Sequence, residues 1–155
     1  MRTNRIIYQV ARQAHAPRRA WELGTLDIYD CYGSTDLSAL AGCAKLHSLK
    51  LVRCDGVADL TPLAGCAALR TLDLSGCDGV TDVSALAGCA KLHTLNLTRT
   101  GVVDVSALAD CSALHTLVLK RTALTDASAL AGCASLQTLD LRHTHVSDRW
   151  LALRN

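Results

Sequence analysis

Leucines recur along the chain in the pattern LxxLxL, and the residues between them are mostly polar. The pattern opens six copies of one unit, which begin at Leu23, Leu46, Leu69, Leu92, Leu114 and Leu136. The first three copies have 23 residues, the next two have 22, and the last one diverges. Alternation at the end of LxxLxL predicts a short strand with one buried face. A unit this small cannot bury its own apolar side, so neighbouring copies must stack into one continuous core.

The second half of each copy predicts a short helical turn that returns the chain to the next strand. Thr61-Pro62 marks its start, since proline suits the first position inside a helix. The predicted N-cap is Thr61, and its counterparts are Ser38, Ser84, Ser106 and Ser128. The predicted stop is a glycine, namely Gly42, Gly65, Gly88 and Gly132. Asp110 replaces that glycine in copy four, so the stop there should differ slightly.

One aspartate precedes each predicted turn by two residues. These positions are Asp36, Asp59, Asp82, Asp104, Asp126 and Asp148. Aspartate side chains readily accept hydrogen bonds from nearby backbone N–H groups. We therefore expect this column to have a structural role.

The pattern LxxLxLxx followed by Cys or Asn resembles the leucine-rich repeat family, from Leu23 to about Asp148. The C-x-G-V-x-D element is similar to the cysteine-containing repeats of ubiquitin-ligase adaptors. The D-V-S-A-L element is similar to the shorter repeats of internalins and of phosphatase-regulating repeat proteins. The chain mixes both patterns, so neither function is assigned. The resemblance implies an α/β solenoid, a right-handed superhelix with a parallel concave sheet and short helical or 3₁₀ turns on the convex side.

Composition separates a basic N-terminal arm from a slightly acidic array. Residues 1–21 contain five arginines and no acid, whereas the remaining residues contain eleven basic and fourteen acidic ones. Residues 1–22 are predicted to be a cap helix for the first repeat, with a partner-binding arm and a mitochondrial targeting segment as alternatives. Residues 23–148 form the array. Residues 149–155 are a C-terminal cap or a truncated end, which leaves open self-association there and a fragment of a longer array.

The sequence shows no apolar run of transmembrane length and no secretory signal, so we expect an intracellular, cytoplasmic protein without membrane contact. The eight cysteines form two columns. Cys31, Cys54 and Cys77 follow the strand; Cys43, Cys66, Cys89, Cys111 and Cys133 end the turn. Bridging within a column would compress the stack, because strands lie about 4.8 Å apart and disulfide β-carbons about 3.8 Å apart. Buried free thiols are therefore predicted, which indicates a reducing compartment.

Other candidate chemistry has a structural explanation. His47, His93 and His115 share the second position of LxxLxL, where His93 and His115 should be neighbours, and His143-x-His145 lies in a late loop. We predict edge histidines in place of a metal site, and no cofactor. An enzyme needs one unique constellation of reactive groups, whereas here these residues belong to repeated columns. The sequence therefore predicts no catalytic residues.

Partner binding is expected at exposed positions that vary between copies. The third, fifth and seventh residues of each copy should face solvent on the concave sheet, and the eighth lies where the chain leaves the strand. The predicted partner contacts are Lys50, Arg53, Asp73, Asn96, Arg99, Lys120, Arg121, Asp140, Arg142 and His143. The late copies place Arg99, Lys120, Arg121, Arg142 and His143 in one neighbourhood, which suits an acidic protein surface or phosphates.

Two functions remain open at this point. The first is a non-catalytic protein-interaction scaffold or adaptor that binds an unidentified protein through the concave face and the ends of the array. The alternative is an RNA-associated or ribonucleoprotein-associated subunit attached through the basic arm and the late basic residues. Against the alternative, the array is net acidic and offers few aromatic side chains for base stacking.

Overall fold

A computed structural model of the chain describes residues 23–33 and 35–146. Six strands form one sheet in chain order, and every neighbouring pair is parallel. They are β1 (Thr25–Tyr29), β2 (Ser48–Val52), β3 (Thr71–Asp73), β4 (Thr94–Asn96), β5 (Thr116–Val118) and β6 (Thr138–Asp140). A 3₁₀ turn follows each of the first five strands, at Ser38–Leu40, Thr61–Gly65, Ser84–Gly88, Ser106–Asp110 and Ser128–Gly132. The predicted α/β solenoid is confirmed.

The core consists of the apolar positions of LxxLxL stacked in register. Leu49 pairs with Leu26 on one side and with Leu72 on the other, and all three are fully buried. In β1 the side chains alternate between exposed and buried, as predicted for a strand with one buried face. Each fully buried leucine contributes about 1.5–3 kcal/mol relative to exposure, so the stacked columns supply most of the stability of each copy.

The aspartate column has the structural role that the sequence predicted. Asp59 Oδ1 accepts the Thr61 N–H at 2.8 Å, and Asp82 Oδ1 accepts the Ser84 N–H at 2.7 Å. The same bond recurs from Ser38 to Asp36, from Ser106 to Asp104 and from Ser128 to Asp126. Hydrogen bonds from these residues lower the pKa of Asp36, Asp59 and Asp126. The main cause is the Ser38 side chain at Asp36, the Thr61 side chain at Asp59 and the Ser128 N–H at Asp126.

The predicted serine and threonine N-caps are wrong, because the aspartates accept the backbone N–H groups in their place. Ser38, Thr61, Ser84, Ser106 and Ser128 are the first residues of their turns, and the residues before them make no side-chain cap bond. The aspartate carboxylate reaches the free N–H from two residues earlier, so no hydroxyl cap is needed. In all four copies that have serine here, the serine hydroxyl also donates to this carboxylate. Asp148 lies outside the described residues.

The prediction that the turn of copy four ends differently at Asp110 is also wrong. The turn Ser106–Asp110 is as long as the turns that end in glycine, and Cys111 N–H closes it on the Leu108 carbonyl as in those copies. Gly42 is the turn glycine with a left-handed backbone, at φ +80°, and its turn is the shorter one. Because the later turn glycines keep negative φ, a residue with a side chain fits there without strain.

Cysteine thiols tie each copy to the one before it. Cys66 Sγ lies 3.6 Å from the Leu40 carbonyl oxygen, which also accepts the Cys43 N–H. The arrangement recurs where Cys89, Cys111 and Cys133 donate to the carbonyls of Leu63, Leu86 and Leu108. In the other column Cys77 Sγ approaches the Leu51 carbonyl oxygen at 2.8 Å. Thr100 and Thr122 replace this cysteine later, and each bonds within its own loop.

Several predictions concern residues outside the described ranges and stay predictions. The cap helix or arm at 1–22 and the C-terminal cap or truncated end at 149–155 lie outside the described residues. In the described part of the chain the helical segments are single 3₁₀ turns, and none has the length and apolarity of a membrane-spanning helix.

Substituting Gly56 should destabilise the protein strongly. A β-carbon built there would lie 1.6 Å from the Gly33 carbonyl oxygen, so two backbones must separate. We expect Gly56→Ala to lower the free energy of unfolding by about 2–3 kcal/mol, as overpacked cores do. Urea denaturation measures this change.

The matched control is Gly65→Ala. The nearest atom to a β-carbon at Gly65 is 3.7 Å away, and its φ is not positive. This variant should keep or slightly raise the free energy of unfolding, by about 0.4–1 kcal/mol. Equal stability of the two variants would contradict the close approach of adjacent loops.

Candidate functional site

The concave face presents the side chains at the third and fifth positions of each copy in registered rows. The fifth-position row runs through Asp27, Lys50, Asp73, Asn96, Val118 and Asp140, which are direct partners across the sheet. Beyond copy one these residues are half-buried, since each strand shields its neighbours. The predicted orientation is confirmed, and side chains of one row lie about 4.8 Å apart at the backbone.

Two of the predicted contacts, Lys50 and Arg53, pair with acids of copy one. Arg53 holds Asp30 in a bidentate ion pair, with N–O distances of 2.7 and 3.0 Å, and Lys50 Nζ lies 3.7 Å from Asp27. Exposed pairs of this kind contribute about 0–1 kcal/mol. Their main effect is therefore to neutralise charge at this end of the face.

Asp140 and Arg142 bind each other. Arg142 Nε and Nη2 donate to the two carboxylate oxygens at 2.9 and 2.6 Å, and the Arg142 backbone N–H donates to Oδ1. The Arg142 side chain is the main cause that lowers the pKa of Asp140 to about 2. These two predicted contacts thus form one nearly neutral unit.

Asp73 and Asn96 have a structural role that the sequence reasoning missed. Asp73 Oδ1 accepts the Ser75 N–H at 2.9 Å, and Asn96 Oδ1 accepts the Thr98 N–H at 3.0 Å and the Thr98 hydroxyl at 2.7 Å. Each side chain therefore ends its strand by satisfying the backbone two residues later. The signal was present in the sequence as Asp or Asn at the fifth position.

The eighth position, where the chain leaves the strand, is left-handed in all six copies. The φ angles are 54° at Asp30, 55° at Arg53, 74° at Gly76, 56° at Arg99, 58° at Arg121 and 60° at His143. A left-handed backbone costs a residue with a β-carbon about 1–2 kcal/mol, whereas glycine adopts it freely. The single glycine in this column was the sequence signal for the conformation.

The strand-exit residues continue the hydrogen-bond ladder past the strands. Arg99 N–H donates to the Lys120 carbonyl at 2.9 Å, and Arg121 N–H donates to the Arg142 carbonyl at 3.0 Å. These bonds hold Arg99 beside Lys120 and Arg121 beside Arg142, as the sequence predicted. His143 follows Arg142 at the exit position of copy six. Whether any of them contacts a partner remains a prediction.

A depression of about 410 Å³ opens beside Gly76, because glycine has no side chain at this eighth position. Arg53 and Arg99 flank it, and Tyr32, Asp55 and Asp78 line the loop side. Tyr32 is 72% exposed and was not among the predicted contacts. The depression is of a size that accepts a side chain or a small ligand.

The histidines do not assemble a metal site in the described residues. His93 and His115 are neighbours as predicted, with parallel rings whose centroids are 4.0 Å apart. A ring nitrogen of His115 also bonds the Ala113 carbonyl at 2.7 Å. Across residues 23–33 and 35–146, no three His, Cys, Asp or Glu side chains converge as metal ligands would.

All eight cysteines are free and buried, as predicted. Burial raises the pKa of Cys66, Cys77 and Cys111 to about 11 and that of Cys54 to about 12. Because the thiolate is the nucleophile, raised pKa values and burial make these side chains inert.

The native protein should therefore resist thiol reagents. At pH 8 a shift of the pKa from 9.0 to about 11 lowers the thiolate fraction about a hundredfold, before burial is counted. We expect Ellman's reagent to react with all eight thiols in guanidinium chloride and with almost none in buffer. Rapid reaction of several thiols in the folded protein would contradict the buried columns.

A family model described as a leucine-rich repeat matches residues 65–87 and 132–149. No curated protein sequence matches the chain. The structure of an internalin C2 from Listeria monocytogenes is 29% identical, covers 92% of this chain and 65% of its own, and has a TM-score of 0.82.

Two further structures share the fold at lower identity. A leucine-rich repeat protein of Leptospira interrogans is 22% identical over 87% of this chain and 36% of its own, with a TM-score of 0.75. The ectodomain of the Arabidopsis thaliana receptor kinase GASSHO1/SCHENGEN3, solved in complex with CASPARIAN STRIP INTEGRITY FACTOR 2, is 20% identical over 78% of this chain and 15% of its own, with a TM-score of 0.67.

The chain thus spans 65% or less of the length of each of these three proteins. The repeated LxxLxL unit, the registered parallel sheet and the match to the family model all agree. The chain carries leucine-rich repeats and has the fold of leucine-rich repeat proteins.

Proposed function

We propose that this chain is a non-catalytic protein-interaction scaffold or adaptor that binds a protein partner through its concave face. The proposal rests on a difference between the buried and the exposed positions of the repeat. Core positions repeat the same residue types, whereas the fifth and seventh positions, which face away from the core, differ from copy to copy. Variation at fixed, solvent-facing sites is how a repeat array encodes a partner.

The family supports the same proposal at a coarser level. Leucine-rich repeat proteins are commonly non-catalytic scaffolds for protein–protein interaction, and one structural neighbour was solved in complex with another molecule named as an integrity factor. The reactive side chains of the described residues are engaged in the scaffold: the thiols are buried, and most turn aspartates accept backbone N–H groups. No step of the proposal requires a catalytic group or a cofactor.

A photo-cross-linking amino acid placed on each side of the solenoid tests the proposal. Val118 and Tyr29 lie on the concave face, and Ala87 lies exposed in a 3₁₀ turn on the opposite side. We expect irradiation in native cell extract to join the same polypeptide to the Val118 and Tyr29 variants and not to the Ala87 variant. Mass spectrometry of the cross-linked bands identifies the joined residue.

Cross-links confined to Ala87, or cross-linked products that nuclease removes, would contradict the proposal. The second outcome would favour the RNA-associated alternative. Substitution of Val118 or Tyr29 leaves the stacked leucine core unchanged, so the variants should fold as the parent does.

We also propose a reducing, cytoplasmic location, which the eight free cysteines support. The mitochondrial alternative rests on the arginine-rich segment 1–22. The mass of the chain purified from its native cell distinguishes the two, because a targeting segment would be removed and would take about the first twenty residues with it.

A further inference from the structure

The charge of the strand-exit edge changes abruptly between copy three and copy four. In copies two and three an aspartate follows the buried cysteine, at Asp55 and Asp78. In copies four and five the loop is one residue shorter, and the residue after the buried threonine is Gly101 or Ala123. The shorter loop therefore removes the acid from the same copies that carry Arg99 and Arg121.

Three cations of this edge are unpaired within the described part of the chain. Arg99, Lys120 and Arg121, which we name the cationic rim, form no ion pair there, in contrast to Lys50 and Arg53. The carboxylate of the nearby Asp140, on which Lys120 also acts through its charge, is held by Arg142 Nε and Nη2. Arg99 and Arg121 thus keep uncompensated positive charges on adjacent rungs.

Both arginines of the rim occupy the left-handed backbone conformation that glycine tolerates best. Gly76 shows that the same position in the same fold accepts glycine. Within the described residues the long side chains of Arg99 and Arg121 make no ion pair or hydrogen bond, and both are exposed. The fold imposes this conformation in every described copy, so the conformation is no sign of a ligand by itself. The two exposed guanidinium groups are available to a ligand outside the chain.

We propose that the cationic rim binds an extended acidic segment of the protein partner, with Asp or Glu at every second position. This inference rests on the proposed function and specifies the partner's chemistry. Alternate side chains of an extended peptide lie on one face about 6.8 Å apart, and adjacent rungs lie about 4.8 Å apart. Flexible arginine side chains span that difference, and each guanidinium can hold a carboxylate with two hydrogen bonds.

A protein ligand fits the rim better than single-stranded RNA. Binding of unpaired bases depends on aromatic side chains beside the basic residues. The exposed tyrosines of the described chain, Tyr29 and Tyr32, belong to copy one, whereas the rim belongs to copies four and five. The rim therefore offers charge for carboxylates without stacking surfaces for bases.

Fluorescence anisotropy with two labelled peptides of identical composition tests the proposal. One peptide carries glutamate at every second position, and the other carries the same glutamates in one uninterrupted run. We expect the alternating peptide to bind more tightly and its affinity to fall as salt is raised. In Arg99→Gln/Arg121→Gln its affinity should fall about tenfold, since two charge-assisted contacts are lost.

The matched control is Arg70→Gln/Lys91→Gln, which removes the same charge from two exposed residues at the opposite ends of the strands. Its affinity should stay within about twofold of the parent, because distant charges are screened. Equal losses in the two variants would show attraction by net charge alone and overturn the proposal. Equal binding of the two peptides would overturn the proposed spacing.

A uridine oligonucleotide completes the design. Tighter binding of this oligonucleotide than of either peptide, with loss in Arg99→Gln/Arg121→Gln, would assign the rim to RNA and overturn the proposal. Absence of binding by every acidic peptide would overturn it too. The proposed function would survive that last result if Val118 and Tyr29 still cross-link to a polypeptide, because cross-linking does not depend on the partner's charge.

Discussion

Each strand of this protein has only three to five residues and cannot be stable by itself, so the structure depends on the parallel register between neighbouring copies. The register places leucine on leucine across six rungs and continues through the backbone bonds of the strand-exit residues. A slip by one residue would move every leucine to the solvent face. Stability therefore belongs to the interface between copies, as expected for a quasi-one-dimensional array.

Several polar features exist because this interface must close at every rung. The Leu63 carbonyl accepts the Cys66 N–H from its own copy and the Cys89 thiol from the next. Gly56 lets two adjacent loops touch through their backbones. In the sequence these residues resemble parts of a reactive site. In the structure the thiols and carboxylates satisfy backbone groups, and the glycine permits the close approach of two loops.

Backbone groups are satisfied by side chains on the concave face as well, and this leaves fewer of those side chains available to a partner. Asp73 and Asn96 end their strands by accepting backbone N–H groups, and Asp140 and Arg142 bind each other. Arg53 and Lys50 are paired with acids of copy one. Of the ten residues chosen from sequence variation, Arg99 and Arg121 keep exposed charges that the described chain does not compensate.

The sequence by itself determined the repeat, the buried face of each strand, the free buried cysteines, the structural aspartates and the neighbourhood of the late basic residues. All of these depend on periodicity, which places equivalent residues on equivalent rungs. Tertiary structure decided what periodicity cannot show: that aspartate replaces serine as the cap, that Asp110 ends its turn as glycine does, and that the exit position is left-handed. Tertiary structure also decided which charges pair. Pairing depends on the distance between side chains of neighbouring rungs and of the same strand, and the repeat period does not give that distance.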